Sequence, residues 1–283
     1  MSGTDQAPPG VDPHVPSAAR LYDLYLGGKD NFAADRAAAR RLREDLPELE
    51  DAAWANRGFL QRAVRYLATR GIRQFLDIGA GLPTQNNTHQ VAGAVRTGTR
   101  VVYVDNDPTV LTHARALLQP PDADRPGGTG PRTTVLTGDL REPESILGDV
   151  IGRHALDLDE PVALLLVAVT HFIPDEENPW DLVRRLLKAL APGSHLVLSA
   201  ATRDHQSPRA LQAVEEVYSK ATANVHLRTR DEIGRFFSGL EMIPPYPGAE
   251  AAVTYVGQWG AEDPEAADSD GSRWSYCGVA RLP

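Results

Sequence analysis

Three acidic residues close three consecutive apolar runs of this chain. Asp77 falls near the end of Gln74-Phe75-Leu76-Asp77-Ile78, Asp105 ends Val101-Val102-Tyr103-Val104-Asp105, and Asp139 follows Thr134-Val135-Leu136-Thr137-Gly138. Directly after the first run, Gly79 and Gly81 flank Ala80. Glycine has no Cβ, so at these positions a ligand can approach the backbone closely and φ can turn positive. Carboxylates at the carboxyl ends of neighbouring strands accept hydrogen bonds from hydroxyl and amino groups. In open α/β sheets, ligands bind beyond those ends, near the point where strand order reverses. The chemistry suggested is recognition of a nucleoside. An acid ending the second strand can take both ribose hydroxyls, which makes Asp105 a ribose ligand. Helix capping suits Asp107 better, since Asp107-Pro108 reads as an N-cap followed by proline at the first helical position.

Those residues need strands and helices in alternation to hold them. The spacing predicts strands at 73–78, 100–105, 133–137, 161–169 and 194–200. Helices are expected near 86–96, 107–118, 143–152 and from Asn178-Pro179 to about Leu190. The run 161–169 is apolar throughout, as a central strand covered on both faces requires. Alternation of this kind predicts a doubly wound, mostly parallel sheet. A helix opened by Ser207-Pro208 follows, then one capped by Thr229-Arg230-Asp231-Glu232. Two last strands, 240–244 and 274–281, have no full crossover helix between them, so one is expected to run antiparallel at an edge. The sheet is therefore expected to be seven-stranded and Rossmann-like. Before it, three helices are expected at 17–26, 33–46 and 51–70. The organisation that results is a disordered 1–16, a helical cap at 17–70 and an α/β domain at 71–283. Residues 119–132, rich in proline and glycine, read as a flexible surface loop.

Composition narrows the classes. A chain of 283 residues with a net charge of −9 lacks the broadly basic character of nucleic-acid and anionic-membrane binders. Neither partner is expected. No apolar run approaches the roughly 20 residues that span a bilayer, and the polar, proline-rich start does not read as a secretory signal. Cys277 is the single cysteine, which leaves no internal disulfide and no cysteine-built zinc site. No metal is expected, and a cytoplasmic location follows by default. The oligomeric state is left open, a homodimer being one option.

Four signatures resemble class I S-adenosylmethionine-dependent methyltransferases. More narrowly, they resemble an actinomycete family of S-adenosyl methyltransferases without an assigned substrate. They are Tyr25-Leu26-Gly27-Gly28-Lys29-Asp30-Asn31-Phe32, Gln74-Phe75-Leu76-Asp77-Ile78-Gly79-Ala80-Gly81-Leu82-Pro83-Thr84, Val102-Tyr103-Val104-Asp105-Asn106-Asp107-Pro108 and Gly193-Ser194-His195-Leu196-Val197-Leu198-Ser199. The resemblance covers about residues 14–280. It implies S-adenosylmethionine as cofactor and a small-molecule methyl acceptor. It puts the Gly79–Gly81 turn under the methionine part of the cofactor and Asp77 near the methionine ammonium. Asp105 and its neighbour Asn106 go to the ribose side, Asp139 to the adenine amino group and the Leu140 N–H to a ring nitrogen. His171, in Thr170-His171-Phe172, borders the transferred methyl group, as a base or as a hydrogen-bonded wall residue. The Gly27–Phe32 segment is expected to fold over the cofactor, with Lys29 or Asn31 meeting the methionine carboxylate or the substrate. A helix C-cap with a solvated turn is the plain alternative.

Two other functions share parts of this pattern. A nicotinamide-dependent oxidoreductase would need Gly-x-Gly-x-x-Gly, and Thr84 stands where its third glycine belongs. Dehydrogenases also seldom carry an acid at the position of Asp139. A regulatory protein that binds the cofactor without catalysis would show the same binding motifs. The N-terminal helices and the stretch 245–273, with Tyr246, Tyr255 and Trp259, are the expected walls of the acceptor pocket.

Overall fold

Strand alternation builds the centre of the molecule. The computed structural model describes residues 7–83, 86–117 and 132–283. Five strands, β1 (Gln74–Ile78), β2 (Arg100–Asp105), β3 (Arg132–Thr137), β4 (Val162–Val167) and β5 (His195–Ala201), pair in parallel in the order β3-β2-β1-β4-β5. β6 (Glu241–Met242), β7 (Thr254–Tyr255) and β8 (Ser275–Arg281) complete the sheet. β8 runs antiparallel along β5, and the two-residue β6 and β7 both pair with its far side. The mostly parallel sheet with its antiparallel margin is the one alternation predicts. β7 is the extra strand, too short to leave a period-2 signal.

Side-chain parity separates the two faces. Leu76, Val102, Leu164 and Leu196 point to one core, with helices α6 (Pro143–Gly152) and α7 (Pro179–Lys188). Phe75, Val101, Ala163 and Val197 point to the other, with α3 (Leu49–Thr69) and α4 (Thr88–Val95). The buried face of α3 carries Phe59, Ala63, Val64 and Leu67, at helical spacing. Asp77 has the parity of Phe75, so its carboxylate lies on the α3 side of the sheet.

α1 (Ala18–Tyr25), α2 (Ala33–Arg43) and α8 (Pro208–Tyr218) form a third apolar cluster with Trp274. A buried ion pair ties the first two together: Arg20 Nε donates to Asp35 at 2.8 Å. Composition marks residues 1–16 as disordered. Residues 1–6 lie outside the described residues, whereas 7–16 run as a strap held by specific bonds. Arg20 Nη2 donates to Val15 O at 2.6 Å and Thr222 N to Pro16 O at 2.8 Å. A buried arginine must place its donors, and the strap's carbonyls accept them. Of the stretch expected as a loop at 119–132, Arg132 opens β3 and the rest lies outside the described residues. Among the described residues, no helix is long and apolar enough to cross a membrane.

Candidate functional site

A cavity of about 770 Å³ opens at the carboxyl ends of β1 to β4. Its floor is the strand order itself. β2 and β4 flank β1, so the loops after β1 and β4 diverge and leave a crevice. The turn Ile78-Gly79-Ala80-Gly81 lines it, opposite Ala168 and Val169 from the loop after β4. Gly79 has φ +73°, and a Cβ there would sit 2.5 Å from Val169 Cγ2. The glycine is required twice, by conformation and by space.

The three acids of the sequence pattern share this cavity. Asp105 holds the glycine turn: its Oδ2 accepts from Gly81 N–H and its Oδ1 from Asp107 N–H, each at 2.9 Å. Asp77 is buried and accepts from Thr88 Oγ1 at 2.7 Å. Desolvation pushes its pKa up to about 6, against the lowering effects of the Thr88 bond and the Arg57 charge. Desolvation likewise raises the pKa of Asp105. Asp139 stands at the outer end, where Asn106 Nδ2 donates to Oδ2 and Arg141 N–H to Oδ1, both at 2.9 Å. Arg141 also pairs with Glu177. Leu140 lines the cavity between them and is buried. Asp107 takes the capping role, accepting from Thr109 N–H at 2.7 Å, and its other oxygen accepts from Ser17 Oγ at 2.6 Å. Through that bond the N-terminal strap, with Gly10, Val11 and Asp12, closes over the cavity beside Pro108.

His171 lies in a 3-10 turn, Thr170–Phe172, and faces the same cavity. Its Nδ1 accepts from Ala201 N–H at 3.1 Å. Burial, with the nearby Arg228 and His226, lowers its pKa to about 3. The ring is therefore neutral, and because Nδ1 serves as an acceptor the hydrogen-bond network assigns its proton to Nε2. That leaves Nε2–H as the ring's donor, on a residue that lines the cavity. The general-base alternative would need a free lone pair on a ring that titrates near neutrality. Arg228 fixes this turn. Its Nη1 donates to Thr170 O at 2.9 Å, its Nη2 to Ile173 O at 2.6 Å, and it pairs with Asp175.

Asp77, Gly79, Gly81, Asp105, Asn106, Asp139, Leu140 and His171 thus all line one cavity. Lys29 and Asn31 do not. Lys29 is exposed, and Asn31 is engaged locally, donating to Gly28 O at 3.1 Å and accepting from Arg36. The segment follows the C-cap of α1 at Leu26, with Gly27 at φ +82°. Asp23 accepts from Asp30 N–H at 3.2 Å, and Asp30 pairs with His113 on α5 (Pro108–Leu117). The acceptor walls also differ from expectation in part. The N-terminal helices do line the cavity, but Tyr246, Tyr255 and Trp259 do not. Trp259 is buried against Phe59 and Tyr66, and Tyr255 stacks on Tyr276. Thr84 lies outside the described residues; Leu82 before it is buried.

Sequence reasoning missed Arg57 and Asn56 on α3. Arg57 Nη2 donates to Asn87 Oδ1 at 2.8 Å, and its charge acts on Asp77. Asn56 bridges Tyr22 and Ser199, donating to Tyr22 Oη at 2.9 Å and accepting from Ser199 Oγ at 2.6 Å. The available signal was two polar residues, Asn56-Arg57, inside the apolar stripe of a helix that packs on the sheet. It also missed Trp274, which walls the cavity and donates to Glu48 at 2.7 Å.

The profile of the S-adenosyl methyltransferase family matches residues 4–283. Two solved structures are similar along the whole chain. One is a DUF574 family protein from Streptomyces avermitilis, 39% identical over 96% of this chain and 99% of its own, with a TM-score of 0.84. The second, described as a candidate methyltransferase from Thermobifida fusca, is 38% identical over 99% of both chains, with a TM-score of 0.82. The plantazolicin methyltransferase BamL, solved with S-adenosylhomocysteine, shares only the fold, at 10% identity over 94% of this chain and 96% of its own and a TM-score of 0.50. Among curated proteins, none matches the chain. With its sheet order, glycine turn and full-length similarity, the chain belongs to the S-adenosyl methyltransferase family, whose cofactor is S-adenosylmethionine.

Proposed function

We propose that this protein transfers a methyl group from S-adenosylmethionine to an oxygen, nitrogen or carbon nucleophile of a small-molecule acceptor, in the cavity at the strand ends. One observation carries the reading. Asp77, Asp105 and Asp139 line a single cavity that continues past the glycine turn into an apolar chamber under the N-terminal helices.

The residues present fit the cofactor. A Cβ at position 79 would close the cradle of the turn against Val169. The Asp105 carboxylate accepts backbone N–H groups at both oxygens, and its remaining lone-pair capacity would take a ribose hydroxyl. Asp77 is the acid beside the turn for an ammonium, and the Arg57 guanidinium on the same side suits a carboxylate. Asp139 would accept from the adenine amino group, with the Leu140 N–H for a ring nitrogen. When bound, S-adenosylmethionine supplies a methyl group already activated on a sulfonium. The chain then has mainly to align the acceptor and exclude water, and alignment can supply about 7–11 kcal/mol of a barrier. His171, whose ring is fixed by the Ala201 N–H at Nδ1, would offer its Nε2–H to the acceptor. The strap and α1 to α3 cover the site.

Calorimetric titration of the full chain tests this. S-Adenosylhomocysteine should bind one to one and NAD should not; binding of NAD alone would overturn the reading. Transfer of a labelled methyl group from S-adenosylmethionine into a small-molecule extract separates an enzyme from a regulatory binding protein.

A further inference from the structure

Ala168, directly after β4, is held in a conformation its own side chain does not favour. The described non-glycine residues at positive φ are Asn86, His154, Ala168, Asn178 and His205. Asparagine and histidine are enriched there, whereas alanine stays only where its surroundings hold it. Ala168, at φ +57°, is also the one of the five that lines the cavity. The next residue packs on the glycine turn, so closely that a Cβ on Gly79 would lie 2.5 Å from Val169 Cγ2. The turn at Ala168 therefore sets how far Val169 reaches into the crevice.

A one-way relay of hydrogen bonds holds that turn. Ala168 N–H is shared between Ser199 O and Ser199 Oγ, both at 3.1 Å. The Ser199 hydroxyl, having accepted there, donates its own proton to Asn56 Oδ1 at 2.6 Å. That assigns the orientation of the Asn56 amide. Its Nδ2 donates to Tyr22 Oη at 2.9 Å, and Tyr22 donates in turn to Ala53 O at 3.2 Å. Ser199 is fully buried and Asn56 nearly so, so breaking a link strands a buried polar group. None of residues 193–199 lines the cavity, although they form one of the four sequence signatures. Ser199 reaches the site only through Ala168 and Asn56.

We infer that Ser199 and Asn56 are positioning residues for the cofactor: by holding Ala168 left-handed they keep Val169 and the Gly79 turn at the spacing that the methionine part requires. This rests on the methyltransferase reading, which puts that part of the cofactor at the glycine turn. Calorimetric titration of the full chain tests it. Ser199→Ala removes the side-chain half of the clamp on Ala168 and should weaken S-adenosylhomocysteine at least about fivefold. Adenosine, which has no methionine part, should stay within about twofold of its affinity for the unaltered chain. Adding Ala168→Gly to Ser199→Ala should bring S-adenosylhomocysteine back to within about twofold, because glycine takes the left-handed turn unaided. Asn56→Ala, one link further along, should show the same selective loss and the same recovery, and it decides the question if Ser199→Ala does not fold. Full S-adenosylhomocysteine affinity in the single variants, an equal loss of adenosine, or no recovery with the glycine would overturn the inference. Failure of S-adenosylhomocysteine to bind the unaltered chain is a separate result, since it removes the methyltransferase reading first.

Discussion

Asp77 is the residue whose ionisation the fold sets most visibly. Burial raises its pKa from 3.8 to about 6, so folding favours the protonated form. That contribution to stability is fully present below the unfolded value and is lost as pH rises through about 6. Binding of an ammonium runs the other way, because it needs the carboxylate. Affinity for S-adenosylhomocysteine should be flat above about pH 7 and fall by up to about tenfold per unit below pH 6. Methylthioadenosine, which lacks the ammonium, should show no such fall. Identical pH profiles for the two ligands would remove Asp77 from the ammonium site. His171 gives the opposite signature. With its pKa near 3 and Nδ1 accepting from Ala201, its ring should stay in the Nε2–H form from pH 5 to 8. Nitrogen-15 chemical shifts of the imidazole check this, and a titration inside that range would reopen the base role.

At the scale of elements, the Gly27–Phe32 segment joins α1 to α2 and reaches α5 through Asp30 and His113. A Cβ on Gly28 would lie 2.0 Å from the Asp23 carboxylate, which also receives Asp30 N–H. Gly28→Ala should destabilise the fold by about 1–3 kcal/mol in urea unfolding, the usual cost of overpacking. Part of that loss should return in an Asp23→Ala background, because the clash partner is gone. Lys29→Ala should leave both stability and S-adenosylhomocysteine affinity unchanged within about twofold, since the side chain is exposed and off the cavity. A large affinity loss in Lys29→Ala would restore the covering role. The α3 helix does what the joint does not: it carries Asn56 and Arg57 from the sheet face into the site.

For the molecule as a whole, the cavity is the meeting place of three apolar clusters, two on the sheet faces and one in the N-terminal cap. A ligand there touches loops of the sheet and helices of the cap together. Hydrogen exchange with saturating S-adenosylhomocysteine should therefore slow in residues 10–20 as well as in 79–81 and 138–141. At about 100 times Kd the linkage is worth about 2.7 kcal/mol. Protection confined to the sheet loops would show that the strap does not close over the ligand. The strap is ordered here because Arg20, buried beside Asp35, has to spend its remaining donors on Val15 O and Asp12 O.

The apolar runs of the strands, the Gly79–Gly81 turn and the acids Asp105 and Asp139 are local features, and each was legible in the sequence. A strand end, a positive φ and a cap are specified by the few residues around them. The sequence also determined the sheet class, because alternating strands and helices leave few ways to bury both faces. Only the tertiary structure decided what faces the turn from a distance. Arg57 lies 20 residues before Asp77 on a helix whose rotation about its axis is set by packing of Phe59, Ala63 and Leu67 on the sheet. Trp274 replaced the expected Tyr255 and Trp259 as a wall because β8 antiparallel to β5 brings the chain before it back over the cap. His171 could be read as a residue near the reaction, yet whether it gives or takes a proton depended on one backbone N–H, that of Ala201, 30 residues away. Local sequence fixes conformation; which groups meet across the cavity, and so what they can do, is fixed by long-range packing.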